Sequence, residues 1–282
     1  MIARSLLRRK LCNYTINGIA GLASLVGLFF LAWILVEILA RGGKAINWSF
    51  FTELPSPAGV EGGGLVHAIY GTFVLTVLAT LLGVPVGMLA GVYLAEFGMG
   101  TRLAALVRFF SNILMGTPSI IVGVFVYTLL VIPMQGFSGY AGAVALAILM
   151  LPLVARTTED MLNLVPNQLR EAALGLGAPR WRVTLQIVFR EARSGLLTGV
   201  LLAVARISGE TAPLLFTALN YNFWKTSLQG PMPNLTVTIY NYAMSPFENW
   251  QQLAWGGALL ITVSVLLLTV LARFCVRGRK GS

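Results

Sequence analysis

An arginine and a glutamate, Arg206 and Glu210, lie four positions apart in an otherwise apolar run of the sequence. At helical spacing the two side chains share one face, so the carboxylate can offset part of the cost of an arginine inside a membrane, at least about 2.5 kcal/mol. A guanidinium also binds phosphate oxygens through two parallel hydrogen bonds and stays charged at any working pH. The pair is therefore either a structural ion pair or part of an anion path. In such a path Glu210 would neutralise Arg206 until an anion passes, and Thr211 can add a hydroxyl.

The other reactive side chains are too few and too scattered for catalysis or metal binding. The chain has one histidine, His67, and two cysteines, Cys12 and Cys275, near opposite ends. An intramembrane enzyme needs a paired nucleophile and base, or a set of metal ligands. We therefore expect no catalytic residue, no metal site and no enzymatic activity in this chain. His67 and Glu61 are interpreted as solvated residues where the second helix begins.

The composition is that of a membrane protein built from several helices. Of 282 residues, 57% are hydrophobic and 11% are charged, against about 25% charged in an ordinary soluble domain. Apolar runs near the length that spans a bilayer, about 20 residues, occur six times. They cover residues 16–40, 65–95, 109–134, 138–155, 195–217 and 253–272. The sequence predicts an all-α polytopic membrane protein with six transmembrane helices.

Lysine and arginine are distributed unequally between the predicted connections. Of the 20 such residues, sixteen fall on one side of the predicted membrane and three on the other, with Arg206 inside a helix. Because positive residues concentrate on the cytoplasmic side, both termini are predicted to be cytoplasmic. The predicted organisation is a basic N-terminal tail over 1–15, a transmembrane domain over 16–272 and a C-terminal tail over 273–282.

Small residues recur at every fourth position along the second predicted helix. They are Ala79, Gly83, Gly87, Gly91 and Ala95. In lipid, such a stripe lets another helix approach closely. Helix packing is favoured over a substrate path, because glycine has no side chain with which to coordinate a solute.

The longest predicted cytoplasmic connection, residues 156–194, looks folded. After Pro166, a helical stripe of apolar residues is followed by two glycines, and Pro179 begins a second short helical stretch. The stripe consists of Leu169, Ala172, Ala173 and Leu176. The pattern predicts a helix, a turn and a second helix. Such a basic segment is either an anchor on anionic lipid or a docking surface for a soluble partner.

The same connection resembles the EAA loop of ABC-importer permeases. The residues that carry the resemblance are Glu171, Ala172 and Ala173, then Gly177 after three residues and Ile187 after nine more. The match lapses beyond Ile187, where the family usually has Leu-Pro and this chain has Phe189 and Arg190. The resemblance implies the type I (MetI-like) permease fold and a loop that inserts into a cleft on an ATPase subunit. It assigns ATPase coupling to Arg170, Glu171, Ala172, Ala173 and Gly177.

Further stretches narrow the resemblance, which runs from about residue 41 to 272. They are Gly62–Leu65, Ala68–Thr72, Thr117–Ile120, Glu210–Thr217, Met244–Phe247 and Trp250–Trp255. Together they resemble permease subunits of bacterial phosphate ABC importers. The resemblance implies inorganic phosphate as substrate and three kinds of partner: a homologous PstC-like permease, two PstB-like ATPases and an extracytoplasmic PstS-like binding protein. The chain lacks the motif G-x-x-x-x-G-K-S/T, so ATP and Mg are expected on the partner ATPase and no cofactor in this chain.

The function predicted from these observations is that of a non-enzymatic permease subunit in a bacterial inner membrane, using ATP hydrolysed by a partner to import phosphate. Arg206, Glu210 and Thr211 are the expected residues of the substrate pathway. A permease for another oxyanion is one alternative. A secondary transporter is another, but it would need its own ion-coupling carboxylates and often shows repeated halves, and no such repeat is evident.

Overall fold

The computed structural model describes residues 2–277, with side chains for residues 9, 10 and 12–274, so Cys275 and residues 278–282 of the predicted C-terminal tail lie outside the described side chains. Within that part the chain is helical, and its only bridge between extended residues joins Pro55 and Gly63. The α-helices are α1 (Ile2–Ala45), α2 (Trp48–Thr52), α3 (Val66–Val92), α4 (Arg102–Gly116), α5 (Ser119–Val126), α6 (Gly139–Asn163), α7 (Asn167–Gly175), α8 (Arg180–Val183), α9 (Phe189–Ser208), α10 (Ala212–Thr217), α11 (Leu235–Ala243) and α12 (Glu248–Arg277). The predicted all-α class is confirmed.

Three π-helical turns continue α-helices. They are Tyr93–Phe97 after α3, Tyr127–Val131 after α5 and Thr184–Val188 before α9. A π turn widens the helix by one residue per hydrogen-bonded ring and often occurs at functional sites. The turn after α3 faces the loop 164–188. Its Glu96 accepts hydrogen bonds from Arg170 of that loop.

Four of the described helices are long and apolar enough to cross a membrane. They are Cys12–Ala45 of α1, Val66–Phe97, Gly139–Asn163 and Glu248–Phe274. The pair α4 and α5 adds a fifth span if the two are counted as one, although they meet at 106°. The predicted number of six spans is not matched exactly, because two of the predicted runs are interrupted.

The two interruptions have local causes. Between α4 and α5 the chain passes through Thr117 and Pro118, both with ψ near 132°. A proline disfavours helical backbone at the residue before it, so the predicted helix over 109–134 bends there. The predicted helix over 195–217 ends at Ser208 and restarts at Ala212, with Pro213 in the first turn of α10.

The small-residue stripe of α3 packs against α6, as predicted. A Cβ atom placed on Gly83 would lie 3.2 Å from Met150 Cβ, one on Gly87 2.9 Å from Val154 Cβ, and one on Gly91 2.5 Å from Thr158 Cβ. The two backbones are thus as close as glycine allows, and α3 and α6 form the centre of the bundle.

His67 does not lie in a solvated loop, so that interpretation was wrong. It is fully buried near the start of α3, and neither ring nitrogen has a hydrogen-bond partner among the described residues. The reason is its position, because His67 continues the buried stripe of α3 by the same four-residue step through Gly71 and Leu75. Glu61 is exposed, as expected.

Helix α1 lies at the edge of the bundle and packs chiefly on α12. Its helix already begins at Ile2, within the stretch 1–15 that was predicted as a tail. Near its other end, a Cβ on Gly42 would lie 2.7 Å from the Trp255 carbonyl oxygen, and the Arg41 guanidinium lies 5.1 Å above the Trp255 ring. None of the most apolar part of this helix is buried within the chain.

Candidate functional site

The loop 164–188 folds as predicted into a helix, a turn and a second helix. The turn after α7 is closed by Gly177 N–H donating to Leu174 O at 2.9 Å and Ala178 N–H donating to Ala173 O at 3.2 Å. Gly177 has φ of +81°, the left-handed region that glycine adopts without steric cost. A Cβ there would meet nothing within 4 Å, so the turn requires glycine for its backbone and not for space.

The loop has one buried face and one exposed face. Ala173, Val183 and Val188 are buried in a cluster that also contains Ala95 and Leu162, which are at the ends of the α3 and α6 segments. The apolar stripe is therefore only partly inward, because Leu169 and Leu176 are exposed by 43% and 90%. Since α3 and α6 span the membrane, this cluster fixes the loop to the bundle.

The exposed face combines apolar side chains with one acid. Its large apolar residues are Leu174, Leu176, Trp181 and Leu185, with exposed fractions between 42% and 90%. Glu171 and Ala172 of α7 are also exposed. Exposed apolar patches of this kind mark interaction sites more often than bare surface.

Arg170 points into the protein and joins three elements. Its Nη2 donates to Glu96 Oε1 and to Leu162 O, each at 2.7 Å, and its Nη1 donates to Val165 O. Its Nε donates to Glu96 Oε1 at 3.1 Å. The side chain is 16% exposed and that of Glu96 is 11% exposed. Of the five residues assigned to ATPase coupling, Arg170 and Ala173 thus face the bundle, whereas Glu171, Ala172 and Gly177 face outward.

A second arginine, near the middle of α4, ties that helix to α3 and α6. Arg108 Nε donates to Glu159 Oε1 at 2.7 Å, and its Nη2 donates to Leu94 O at 3.1 Å. Arg156 lies 3.7 Å from the other Glu159 oxygen and 3.3 Å from Asp160 Oδ2. The ends of α3 and α6 are therefore tied to the middle of α4 by charged groups.

The sequence analysis missed these ion pairs. It placed Arg206 inside a membrane helix, yet the Glu159 side chain is 6% exposed and that of Arg206 is 51% exposed. A signal existed, because Glu159 continues the buried face of α6 at helical spacing from Ala155 to Leu162. The predicted helix ended at 155 and so excluded it.

Arg206 and Glu210 are brought together, but not within one helix. Arg206 is in the last turn of α9, and Glu210 follows the end of that helix. Arg206 Nε lies 3.9 Å from Glu210 Oε1, which is longer than a hydrogen bond. A cation at a helix C-terminus is stabilised by the helix dipole, so the arginine has a second source of stabilisation beside the acid.

The break between α9 and α10 is held by its own hydrogen bonds. Glu210 N–H donates to Ile207 O at 3.2 Å, and Thr236 Oγ1 of α11 donates to Glu210 O at 2.9 Å. Thr211 is half-buried and begins α10 without capping it through its side chain. On the far side α10 packs closely on α5, where a Cβ on Gly123 would lie 2.7 Å from Pro213 Cα. The break is a defined structure and not a frayed helix end.

The described residues hold no group of three or more His, Cys, Asp or Glu side chains that could bind a metal ion. The candidate functional regions among the described residues are the loop 164–188 with its anchoring arginine, and the break that carries Arg206, Glu210 and Thr211.

Comparison with known proteins gives consistent matches. The family described as binding-protein-dependent transport system inner membrane component matches residues 83–280. The phosphate transport system permease protein PstA of Yersinia pestis is 53% identical over 256 residues, covering 91% of this chain and 87% of that protein. The protein of the same name from Haemophilus influenzae is 50% identical over 272 residues, covering 96% of each. PstA 1 of Mycobacterium tuberculosis is 35% identical over 284 residues, covering 97% of this chain and 92% of that protein.

Two solved structures are similar in fold. A chain of the inward-facing MetNI methionine ABC transporter superposes with a TM-score of 0.65 at 21% identity, over 76% of this chain and 95% of that one. A chain of a bacterial alginate ABC transporter, in complex with an alginate-bound periplasmic protein, superposes with a TM-score of 0.68 at 14% identity, over 95% of this chain and 96% of that one. At these identities the likeness shows the fold alone, which agrees with the predicted MetI-like architecture.

Proposed function

The chain belongs to the family of binding-protein-dependent transport system inner membrane components, and within it to the PstA permeases, and from this we infer that it is a permease subunit of an ATP-driven phosphate importer. It is a multi-pass protein of the bacterial inner membrane. Both termini are proposed to be cytoplasmic, because sixteen of its 20 Lys and Arg residues fall on one predicted side.

Membership of this family implies an ATPase on separate subunits, a second permease and a substrate-binding protein. The proposed partners are a PstC-like permease, two PstB-like ATPases and a PstS-like binding protein. ATP and Mg are proposed to bind only to the ATPases, which supply the free energy. This chain would contribute half of a path for inorganic phosphate across the bilayer.

The observation that carries an ATP-driven mechanism is the two-faced loop 164–188. Its inner face is fixed to the bundle through Ala173 and Arg170, while its outer face presents Glu171 beside exposed apolar side chains. A loop that only rested on lipid would not need hydrogen bonds from Arg170 to Glu96 and Leu162, at the ends of two spanning helices. We assign Glu171, Ala172 and Gly177 to contact with the ATPase, and Arg170 and Ala173 to holding the loop in place.

The proposed substrate path runs past Arg206. Its side chain is half exposed, on the same face of α9 as the exposed Leu202 one turn earlier. Such a face is where a second permease would pack, so the path would lie between the two permeases. Because the contact to Glu210 is 3.9 Å long, the guanidinium can turn toward a phosphate without breaking a short hydrogen bond. Glu210 would then neutralise Arg206 between transport events, and Thr211 would offer its hydroxyl.

A guanidinium does not distinguish phosphate from other tetrahedral oxyanions by charge alone. A permease for another oxyanion therefore remains the second candidate, and its test is competition. Unlabelled arsenate should compete with labelled phosphate because it has the same shape and charge, whereas sulfate should compete poorly. Strong competition by sulfate would favour the alternative.

The test of the function is uptake of radiolabelled phosphate at low external concentration in cells that lack only this gene. We expect uptake to fall and to be restored by the gene on a plasmid. Plasmid-borne Glu171→Lys should fail to restore it while still accumulating in the membrane. Unchanged uptake in the deletion, in cells without a duplicate importer, would refute phosphate as the substrate.

A further inference from the structure

The cytoplasmic end of α3 accepts hydrogen bonds from two arginine side chains of other elements. There the chain forms the π-helical turn Tyr93–Phe97, in which Gly98 N–H donates to Tyr93 O. Helix ends leave carbonyl groups without partners inside the helix. One of these, Leu94 O, accepts from Arg108, and the side chain of Glu96 accepts from Arg170. Two separate arginines thus attach to one turn.

Arg170 makes two kinds of contact, and they can be separated. Toward α6 it donates to the carbonyl oxygen of Leu162, in the last turn of that helix, and to that of Val165, two residues past its end. Toward α3 it donates to Glu96 alone, through Nε and Nη2. Loss of the carboxylate at position 96 would leave the first set intact, so α7 would stay attached to α6 and lose its direct tie to α3.

The Arg170–Glu96 ion pair that links the loop to α3 is short, charged and largely buried. Arg170 Nη2 and Nε both donate to Glu96 Oε1, at 2.7 Å and 3.1 Å, Nε also donates to Oε2 at 3.4 Å, and both side chains are largely buried. Charge-assisted hydrogen bonds of this type are about twice as strong as neutral ones and fix orientation as well as distance. The link also crosses a large distance in sequence, from residue 96 to residue 170, so it is not a by-product of local helix geometry.

We propose that Glu96 is a positioning residue that orients the loop helix α7 through Arg170 and thereby couples the movement of that loop to α3. This proposal rests on the function proposed above, in which α7 meets the ATPase. Because α3 and α6 touch backbone to backbone along the glycine stripe, a displacement of the end of α3 is carried into the centre of the bundle. Through Leu94 O and Arg108 the same turn is joined to α4, which bends into α5 beside the break that carries Arg206.

The test is Glu96→Gln in the assembled complex with its ATPase, partner permease and binding protein in proteoliposomes. Phosphate uptake and ATP hydrolysis are measured together, and their ratio is the readout. We expect assembly and ATP hydrolysis to persist while phosphate moved per ATP falls by about 2- to 30-fold, the range that changes within coupling networks produce. Glu96→Asp keeps a carboxylate and should recover part of the ratio.

The matched control is Asp160→Asn near the end of α6. It also removes one carboxylate paired with an arginine, but that arginine is Arg156 of α6 and not a residue of the loop. It should keep the wild-type ratio. An unchanged ratio in Glu96→Gln would overturn the proposal. So would failure of that variant to assemble while Asp160→Asn assembles, because Glu96 would then be needed only for structure.

A second readout does not depend on the transported ion. Hydrogen–deuterium exchange in the assembled complex should rise in Glu96→Gln over residues 93–98, while residues 160–165 keep their protection because Arg170 still caps α6. If the wild-type complex moved no phosphate, the proposed function would fail, yet this exchange pattern would still decide the role of Glu96. Equal exchange in both variants over residues 93–98 would count against it.

Discussion

Three glycines of α3 offer a graded test of how closely the central helices pack. The perturbation is replacement by alanine at Gly83, Gly87 or Gly91, one site at a time. At Gly83 the nearest atoms to the new Cβ would be Met150 Cβ at 3.2 Å and Ala147 O at 3.3 Å, so a shift of a few tenths of an ångström would relieve the contact. At Gly91 the new Cβ would lie 2.6 Å from the backbone oxygen of Ala155, which cannot move without shifting α6. The loss of stability should therefore increase along α3 toward the end that contacts the loop 164–188.

The size of the effect follows from two opposing contributions. Replacing glycine by alanine in a helix favours the helix by about 1 kcal/mol. Overpacking a core costs about 1–3 kcal/mol. At Gly83 the two nearly cancel, whereas at Gly91 the clash with backbone exceeds the gain and a net loss of about 1–2 kcal/mol is expected. The control is Gly21→Ala in α1, where a Cβ meets nothing within 4 Å, so no loss is expected.

The assay is the unfolding temperature of the purified protein in detergent, followed by tryptophan fluorescence. For a chain of this size a loss of 1 kcal/mol lowers that temperature by about 2–4 °C. The expected order is Gly21→Ala at or above wild type, Gly83→Ala close to it, Gly87→Ala lower, and Gly91→Ala lowest. A Gly91→Ala variant as stable as wild type, or less affected than Gly83→Ala, would show that α3 and α6 are not packed as described.

Three other substitutions address the two functional regions. Glu171→Lys should release the ATPase or uncouple its hydrolysis from uptake, measured by co-purification and by ATPase rate, while Glu248→Lys on the first turn of α12 should do neither. Arg206→Ala should reduce uptake by about tenfold or more with normal expression, since a hydrogen bond to a charged group contributes about 1.5–3 kcal/mol. Uptake by Arg206→Lys should lie between that of the wild type and that of the alanine variant. Normal uptake in the alanine variant would exclude a role in the path. The double variant Arg108→Gln with Glu159→Gln should lose less unfolding free energy than the two single variants lose in sum, with an interaction energy of about 0.5–3 kcal/mol. Strict additivity would mean that the two side chains do not pair.

The features that could be predicted from the sequence are those set by neighbours along the chain. The small-residue stripe of α3 recurs at a fixed step, and its packing was predicted correctly. The helix–turn–helix of the loop 164–188 was also predicted correctly, because Pro166, Gly177 and Pro179 act on the backbone within one or two residues of their own positions. The position of His67 follows the same step as the stripe, and it was missed only because the stripe was not extended back to it.

What could not be predicted depends on partners far apart in the sequence. Arg108 and Glu159 are 51 residues apart, and Arg170 and Glu96 are 74 apart. No periodicity links them, and each looked like one more basic or acidic residue on the cytoplasmic side. The break after Ser208 was missed for a different reason, because residues 195–217 were counted as one apolar run although the polar residues Arg206, Ser208, Glu210 and Thr211 interrupt it. At that interruption the backbone turns, and Thr236 of α11 donates to Glu210 O.

The contact between α1 and α12 also has a consequence for biosynthesis. Ribosomes add about 5–20 residues per second, so Gly42 enters the bilayer about 10–40 s before Trp255, its neighbour in the finished fold, is made. During that interval the nascent first helix can pack only on lipid or on other proteins of the insertion machinery. Translation that stops before α12 leaves α1 without its main intramolecular neighbour, so the fold closes only when the last helix has been synthesised.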